Sequence, residues 1–242
     1  MKNYRNANIV VLTGAGISAA SGLKTFRSQE GLWEQHAVED VATPEAYDRN
    51  PELVEAFYNE RRAQLDYSNT EPNAAHFAIA QLEQQHEGRL FLITQNVDDL
   101  HERAGHKQVL HMHGELRKAR CPVTHQSFYM QGDFSAENKC HCCVPGNRLR
   151  PHIVWFGEMP LGMGHIERAL TECDVFIAIG TSGTVYPAAG FVRLAKAFGA
   201  KTIDVNLTPC YSGAFDKQYE GCATESVPKL VEQILSEQEE FA

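Results

Sequence analysis

The chain has 242 residues, 43% of them hydrophobic and 22% charged, enough for one large domain, or a domain with a smaller companion, around a core of ordinary size. Its net charge of -9 argues against a nucleic-acid surface, because phosphate affinity needs clustered Lys and Arg, although a local basic pocket stays open. No run approaches the roughly 18 apolar residues of a membrane span.

The polar first six residues lead into a short apolar strand over residues 8 to 13, too short for a secretory h-region, so a cytoplasmic protein is expected. The strand ends in Gly14-Ala15-Gly16-Ile17-Ser18-Ala19, a dinucleotide fingerprint if Ala is allowed at the third glycine position. In that reading Gly14 permits the tight turn, Gly16 admits a pyrophosphate close to the backbone, and Ala19 lets the following helix pack closely. Ser21-Gly22 interrupts that helix early, and no clear acidic ribose ligand follows about 20 residues on, which counts against an ordinary Rossmann dehydrogenase. Residues 23 to 33, with Phe26, Arg27 and Trp33, lack periodicity and read as a loop able to fold over a ligand, or as a surface loop with tucked aromatics.

Residues 51 to 66 read as a helix started by Pro51, with Leu53, Phe57 and Leu65 on one side. Tyr58 and Arg61 lie three apart and share a face, so a phenol and a guanidinium could together hold a carboxylate. Spacing alone favours a solvent-facing helix whose arginine pairs with glutamate. A second helix spans 72 to 86, with His76 in an apolar, structural setting.

The most informative stretch lies at mid-chain. Leu90-Phe91-Leu92-Ile93 reads as a buried strand and gives way abruptly to Thr94-Gln95-Asn96-Val97-Asp98-Asp99-Leu100-His101. Val109-Leu110 then leads to a second polar knot at His111 and His113. Open α/β sheets bind ligands outside the carboxyl ends of their strands, so two polar clusters at two such ends have the character of a catalytic floor.

Four of the seven cysteines, Cys121 and Cys140 with Cys142 and Cys143, crowd together, and eighteen residues separate Cys121 from Cys140. An odd, clustered set points to a structural zinc site rather than a disulfide framework. Because position 124 is Thr, the first pair is incomplete; His125, His141 or Cys142 could supply the fourth ligand. Ile153-Val154-Trp155-Phe156-Gly157-Glu158 reads as strand-like, with a glycine suited to an added peptide strand. A helix over 163 to 172, a buried strand Val175-Phe176-Ile177-Ala178-Ile179, a second small-residue turn Gly180-Thr181-Ser182-Gly183, a helix over 187 to 198, a strand 202 to 205 ending in Asn206, and an amphipathic helix from Ser226 complete the alternation. The fold class is therefore α/β, a Rossmann-like doubly wound parallel sheet, with a smaller domain built from a helical insertion and a zinc-ribbon-like insertion.

Taken together, these motifs resemble the sirtuin family, the NAD-dependent protein-lysine deacylases. The resemblance rests on Gly14 to Ser18, Phe26-Arg27, Thr94 to Asp98 with Leu100-His101, His113-Gly114, the cysteines, Phe156-Gly157-Glu158, Gly180-Thr181-Ser182 and Asn206. It implies one catalytic domain over 1–242, with the Rossmann-like part at 1–35, 76–118 and 151–242 and the small domain at 36–75 and 119–150. It also implies NAD held by Gly14, Ala15, Gly16, Ser18, Phe26, Arg27, Trp33, Gln95, Asn96, Val97, Asp98, Gly180, Thr181, Ser182, Asn206, Leu207, Thr208 and Ala223. His113 would be the general base, with Asn96 and Asp98 beside it, and an acylated lysine peptide would lie along Val154, Phe156, Gly157, Glu158 and Val185. Tyr58 and Arg61 match the Tyr-x-x-Arg pair of class III sirtuins, which remove succinyl and malonyl groups. Zinc would be structural, on Cys121, Cys140, Cys143 and a fourth ligand, and no nucleic-acid or membrane partner is implied. A hydride-transferring Rossmann oxidoreductase and a non-catalytic NAD-sensing module are the competing readings.

Overall fold

The computed structural model describes residues 4–23, 32–33, 36–67, 69–208 and 213–236, without the side chains of Arg5, Leu32 and Trp33. Phe26, Arg27 and the Trp33 side chain, expected beside the nucleotide, therefore lie outside the described residues.

The chain opens with strand β1, Ile9–Thr13, buried on both faces. The Gly14 fingerprint does not open a regular helix; it runs through two single 3-10 turns, Ala15–Ile17 and Ala19–Ser21, and ends at Gly22 with φ of 84°. A minimal antiparallel pair follows, β2 at Leu32–Trp33 and β3 at His36–Ala37. Four helices come next: α1 Val38–Val41, α2 Pro44–Arg49, α3 Pro51–Gln64 and α4 Ala74–Gln85. The starts of α2, α3 and α4 are set by side-chain caps. Thr43 and Asn50 accept from Ala46 N and Leu53 N, each followed by a proline at the first helical position, and Asn73 forms a capping box with His76.

Strand β4, Leu90–Thr94, leads through the short helix α5, Leu100–Arg103, to β5, Val109–His111. Then come β6 Gly114–Arg120, β7 Ser127–Tyr129 and β8 Arg150–Ile153. Helix α6 Met163–Glu172, strand β9 Val175–Ile179, helix α7 Phe191–Ala197, strands β10 Lys201–Asn206 and β11 Lys217–Glu220, and helix α8 Ala223–Leu235 finish the fold.

Six strands form one sheet in the order β11-β10-β9-β1-β4-β5, every pair parallel. From β1 the chain builds outward through β4 and β5, then crosses back to lay β9, β10 and β11 on the other side, so the topological switch lies between β1 and β9. Both faces are covered. Ile9, Val11, Leu92 and Ile177 face α4 and α8 through Ile79, Leu82, Val227 and Leu230, whereas Val10, Leu12, Ile93 and Phe176 face α6 and α7 through Ile166, Leu170 and Phe191. Each such burial contributes roughly 2 kcal/mol against about 1 kcal/mol for a cap, so packing holds the sheet and the caps set where helices begin.

A second core joins α1, α2 and α3 to the antiparallel sheet β7-β6-β8, through Val54, Phe57, Tyr58, Leu116, Ile153 and Trp155. Two expectations are corrected here. Leu53 is exposed, and the buried face of α3 carries Val54, Phe57, Tyr58, Arg61 and Arg62 with Leu65 just beyond the helix. The apolar run from Ile153 is not itself a strand: pairing ends at Ile153, Trp155 turns into the second core, and residues 155 to 158 form a turn with Gly157 at φ of 89°.

At the switch point the turns after β1 and β9 meet backbone to backbone. A Cβ on Gly14 would lie 2.7 Å from Gly180 O, one on Gly16 2.7 Å from Gly180 Cα, and one on Gly180 2.5 Å from Ile17 N. Gly180 also has φ of 61°. Gly180→Ala therefore meets both a clash and left-handed strain and is expected to cost on the order of 3 kcal/mol, lowering Tm by roughly 6–12 °C. Gly164→Ala, inside α6 with open space around it, is expected to be neutral or stabilising by up to about 1 kcal/mol. Thermal unfolding of the two variants checks the contrast.

Candidate active site

The parallel register brings Thr13, Thr94 and His111 to one level at the carboxyl ends of β1, β4 and β5. Thr13 Oγ1 donates to Thr94 Oγ1 at 2.9 Å and meets His101 Nε2 at 3.0 Å, while Thr94 Oγ1 accepts from Asn96 N at 3.0 Å. Thr94 opens the polar stretch read in the sequence, whereas Thr13 was not singled out; its signal is that it closes its strand immediately before the glycine turn.

Above them sits a closed polar network. Ser18 Oγ accepts from Asn96 Nδ2 at 3.1 Å and donates to Asp98 Oδ2 at 3.1 Å. His76 Nδ1 accepts from Asn73 N at 3.2 Å in the capping box, so its proton is on Nε2, which points to Ser18 Oγ at 3.5 Å. His76 is thus structural, as its apolar helix suggested, and also orients Ser18. Asp98 Oδ1 accepts from Leu100 N at 3.2 Å. Burial pushes the Asp98 carboxyl up to about 6, against the pull of the Leu100 and Ser18 hydrogen bonds and the His111 charge.

His113 lies between β5 and β6, half-buried, with Nδ1 3.1 Å from Gln95 O. A carbonyl oxygen only accepts, so Nδ1 carries the proton and Nε2 is left with its lone pair. Burial lowers its pKa, partly offset by the Gln95 bond, so the ring is a neutral base at neutral pH. His101 and His106 are also pushed down by burial and belong to the packing beneath the strand ends, their rings 5.3 Å apart.

Across the switch point, Asn206 Nδ2 donates to Thr181 O at 2.6 Å, tying the end of β10 to the turn after β9. Gly180, Thr181 and Asn206 therefore share one rim with Gly14 to Ser18, and Ser182 is held to Thr184 at 2.9 Å. Leu207 is exposed beyond that rim, Thr208 follows it, and Ala223 is buried at the start of α8.

The second core supplies another wall. Tyr58 is fully buried, its hydroxyl accepting from Trp155 Nε1 at 3.0 Å, and burial holds its phenol well above the ordinary range. Arg61, also buried, stacks on the Phe57 ring at 3.6 Å, donates to Phe57 O at 2.7 Å, and lies within electrostatic reach of the Tyr58 hydroxyl. These residues therefore do not lie on a solvent-facing side of the helix, although Arg61 does pair with a glutamate, its Nη1 donating to Glu60 Oε2 at 3.0 Å.

Val154 N donates to His113 O at 2.8 Å, so the segment that follows β8 is tied directly to the backbone of His113. The Glu158 carboxylate is gripped by Arg120 at 2.8 and 2.9 Å and by Arg150 at 2.8 and 3.0 Å, and also accepts from Trp155 N at 2.8 Å. Its side chain thus braces the turn in which Phe156 and Gly157 are exposed, with open space around Gly157. Val185 is half-buried in the segment after β9. Arg117 of β6 adds a brace missed in the sequence: it donates to Asp99 Oδ2 at 3.0 Å and to both oxygens of Asp66, at 3.2 and 2.7 Å, just past the end of α3.

Cys121, Cys140, Cys142 and Cys143 place their Sγ atoms within 4.8 Å of one another. A tetrahedron of Zn–S bonds near 2.3 Å has sulfur–sulfur edges of about 3.8 Å, and Cys121 to Cys143 is 3.8 Å. Thr124 N and Asn147 N donate to Cys121 and Cys140, an arrangement that favours thiolates. The cluster can hold zinc, with Cys142 as the fourth ligand. His125 and His141 are exposed and stand outside it, while Thr124 Oγ1 lies 3.0 Å from Cys142 Sγ.

Glycine turns interlocked at the switch point of a parallel sheet, beside an amide, a carboxylate and a neutral imidazole, define a nucleotide-dependent enzyme of the doubly wound class. A match to the Sir2 family covers residues 14–187. The chain is 60% identical over 230 residues to an NAD-dependent protein deacylase of Shewanella oneidensis, covering 95% of each. Its structure resembles that of a Sir2 homologue in complex with NAD, 38% identical, with a TM-score of 0.84 over 97% of this chain and 92% of the other. It also resembles a Sir2 protein bound to a myristoylated histone peptide, 33% identical, with a TM-score of 0.70 over 96% and 93%. The chain belongs to the Sir2 family of NAD-dependent protein-lysine deacylases, and NAD is its co-substrate.

Two predictions follow from the geometry. Cys142→Ser is expected to lower zinc retained after dialysis against a chelator, and Tm by roughly 2–4 °C for each kcal/mol lost, whereas His125→Ala is expected to change neither. Asp98 has a raised native pKa, so its stabilising contribution is present when it is protonated and is lost as pH rises through about 6. Ionised and buried at pH 7.5, it carries a cost of order 3 kcal/mol. Asp98→Asn is expected to raise the Tm of the NAD-free protein at pH 7.5, by an amount that shrinks steadily as the pH is lowered toward 4.

Proposed function

We propose that this protein removes acetyl and acidic acyl groups, succinyl and malonyl, from protein lysines. The observation that carries the acidic specificity is Arg61, a buried guanidinium on the same helix face as Tyr58 and within its electrostatic reach. A planar guanidinium and a phenol together suit a carboxylate, and a wall of Phe57 and Trp155 suits the methylenes that precede it.

NAD, when bound, supplies the ribose carbon that accepts the acyl oxygen as nicotinamide leaves, and overall acyl-lysine, NAD and one water give nicotinamide, free lysine and O-acyl-ADP-ribose. The glycine turn from Gly14 to Ser18, with Ala15, lies against the pyrophosphate. Gly180, Thr181, Ser182, Asn206, Leu207, Thr208 and Ala223 lie on the adenosine side. Gln95, Asn96, Val97 and Asp98 hold the nicotinamide end, together with Phe26, Arg27 and Trp33. His113, neutral with Nε2 bare, takes a proton from a ribose hydroxyl. The peptide lies extended between Val154 to Glu158 and Val185 and adds main-chain bonds beside Gly157, where the space is open.

The division into a Rossmann-like part, 1–35, 76–118 and 151–242, and a small domain, 36–75 and 119–150, is supported in outline by a second core, which also takes in Leu116, Ile153 and Trp155 from the ends of the Rossmann-like segments. A reducing, cytoplasmic setting is in keeping with the free thiols among the described cysteines.

A panel of acetyl, malonyl and succinyl peptides, scored by NAD-dependent nicotinamide release, tests the reading. Arg61→Met is expected to lower kcat/KM on succinyl peptides by about 100-fold, because a substrate carboxylate would be left unpaired, and on acetyl peptides by no more than about fivefold. Equal losses on both would remove the acidic specificity. Undiminished turnover by His113→Ala would remove the assigned base.

A further inference from the structure

We propose that His111 is a positioning residue for the nucleotide: held as an imidazolium between the Asn96 carbonyl and the Glu102 carboxylate, it fixes the turn that presents Asn96 and Asp98 and thereby sets the affinity for NAD. The proposal rests on the reading that Asn96 and Asp98 hold the nicotinamide ribose.

His111 ends β5, in register with Thr94, and is 8% exposed. Its Nδ1 lies 3.1 Å from Asn96 O and its Nε2 2.7 Å from Glu102 Oε1. Neither partner can donate: a carbonyl oxygen only accepts, and so does an ionised carboxylate. Both ring nitrogens must therefore carry protons, and the ring is a cation. Two residues on, His113 meets a single carbonyl and is neutral; the difference lies in the Glu102 carboxylate.

The charged and titratable groups around His111 agree with this assignment. Burial alone would favour the neutral ring, but the Glu102 hydrogen bond and charge, Glu115 on β6 and the Asn96 carbonyl outweigh it and raise its pKa. Burial pushes Glu102 on α5 upward, yet the His111 bond and charge bring it below the usual carboxylate range. His101, on the same short helix, is pushed further down by the His111 charge. Asp98, whose burial favours the neutral acid, is drawn back toward the carboxylate by that charge. One imidazolium thus does two things: it anchors the backbone of Asn96, and it helps keep Asp98 ionised as a hydrogen-bond acceptor for a ribose hydroxyl.

His111 has a raised native pKa, so its contribution is present at low and neutral pH and is lost as pH rises through that value. NAD affinity is therefore expected to fall on the alkaline side, and to do so at lower pH when Glu102 loses its charge.

The test uses the full chain, with NAD binding measured by calorimetry without any acyl peptide. Nitrogen NMR at pH 7.5, assigned with His111→Gln, is expected to show both His111 nitrogens protonated; a neutral ring overturns the proposal. His111→Gln and Glu102→Gln are each expected to raise the NAD Kd about tenfold, with kcat falling less than threefold. The double variant is expected to be no worse than the weaker single one. Glu102 is well exposed on one side, so Glu102→Gln serves if His111→Gln does not fold. Unchanged NAD affinity in a folded variant, a loss confined to kcat, or additive effects in the double variant overturns the proposal. Failure of the wild type to release nicotinamide with any acyl peptide would instead count against the deacylase assignment and leave the binding result standing.

Discussion

The site depends on a place where two backbones touch with no side chain between them. The turn after β1 and the turn after β9 meet through Gly14, Gly16 and Gly180, joined by Gly14 N to Ile179 O at 2.9 Å and Gly16 N to Gly180 O at 2.9 Å. The sequence assigns Gly16 to the approach of a pyrophosphate. The structure gives its missing Cβ a second reason: a neighbouring turn of the same protein already occupies that direction. The β1–β9 ladder sets the spacing of the strands, and this contact continues it past their carboxyl ends, holding the two turns together at the switch point. The Asn206 to Thr181 bond on one side and the Ser18 network on the other both build outward from it.

Around that contact, identical residue types are differentiated by their partners. His76, His111 and His113 all sit near the strand ends and all lose water. His76 spends one nitrogen on a helix cap, His113 spends one on a carbonyl, and His111 spends both on acceptors. The outcomes are an orienting donor, a neutral base and a cation. Burial drives all three toward neutrality, and only a second acceptor bearing charge reverses it. The electrostatic character of the crevice is therefore written in second partners rather than in the histidines themselves.

Much of this architecture was legible in the sequence, where hydrophobic runs report burial faithfully. The buried strands β1, β4 and β9 and the polar turn after β4 stand where the periodicity puts them. Runs report burial but not pairing, which is why Ile153 to Phe156 reads as a strand although Trp155 leaves the ladder to meet Tyr58. Strand β11, Lys217–Glu220, alternates half-buried and exposed residues at the sheet edge, and so has no apolar run to betray it. Cys142 is legible only as one of three candidates for the fourth ligand, since the C-x-x-C motif is complete with Cys140 and Cys143; the fold selects it and sets Thr124 against its sulfur. The pairing of Arg117 with Asp66 spans 51 residues of sequence, beyond any local pattern.

That last pairing has a consequence for transplanting this helix. Asp66 follows α3 by two residues and holds the same guanidinium that holds Asp99, the immediate neighbour of Asp98. The element offered for reading the acyl chain and the turn offered for reading the nucleotide are thus cross-braced by one side chain. An exchange of α3 between relatives, made to alter acyl preference, would carry half of a joint whose other half stays behind. The modular unit is therefore larger than the helix: it extends through residue 66 and includes position 117, and a graft that respects those ends should change what is accepted without loosening what holds the nucleotide.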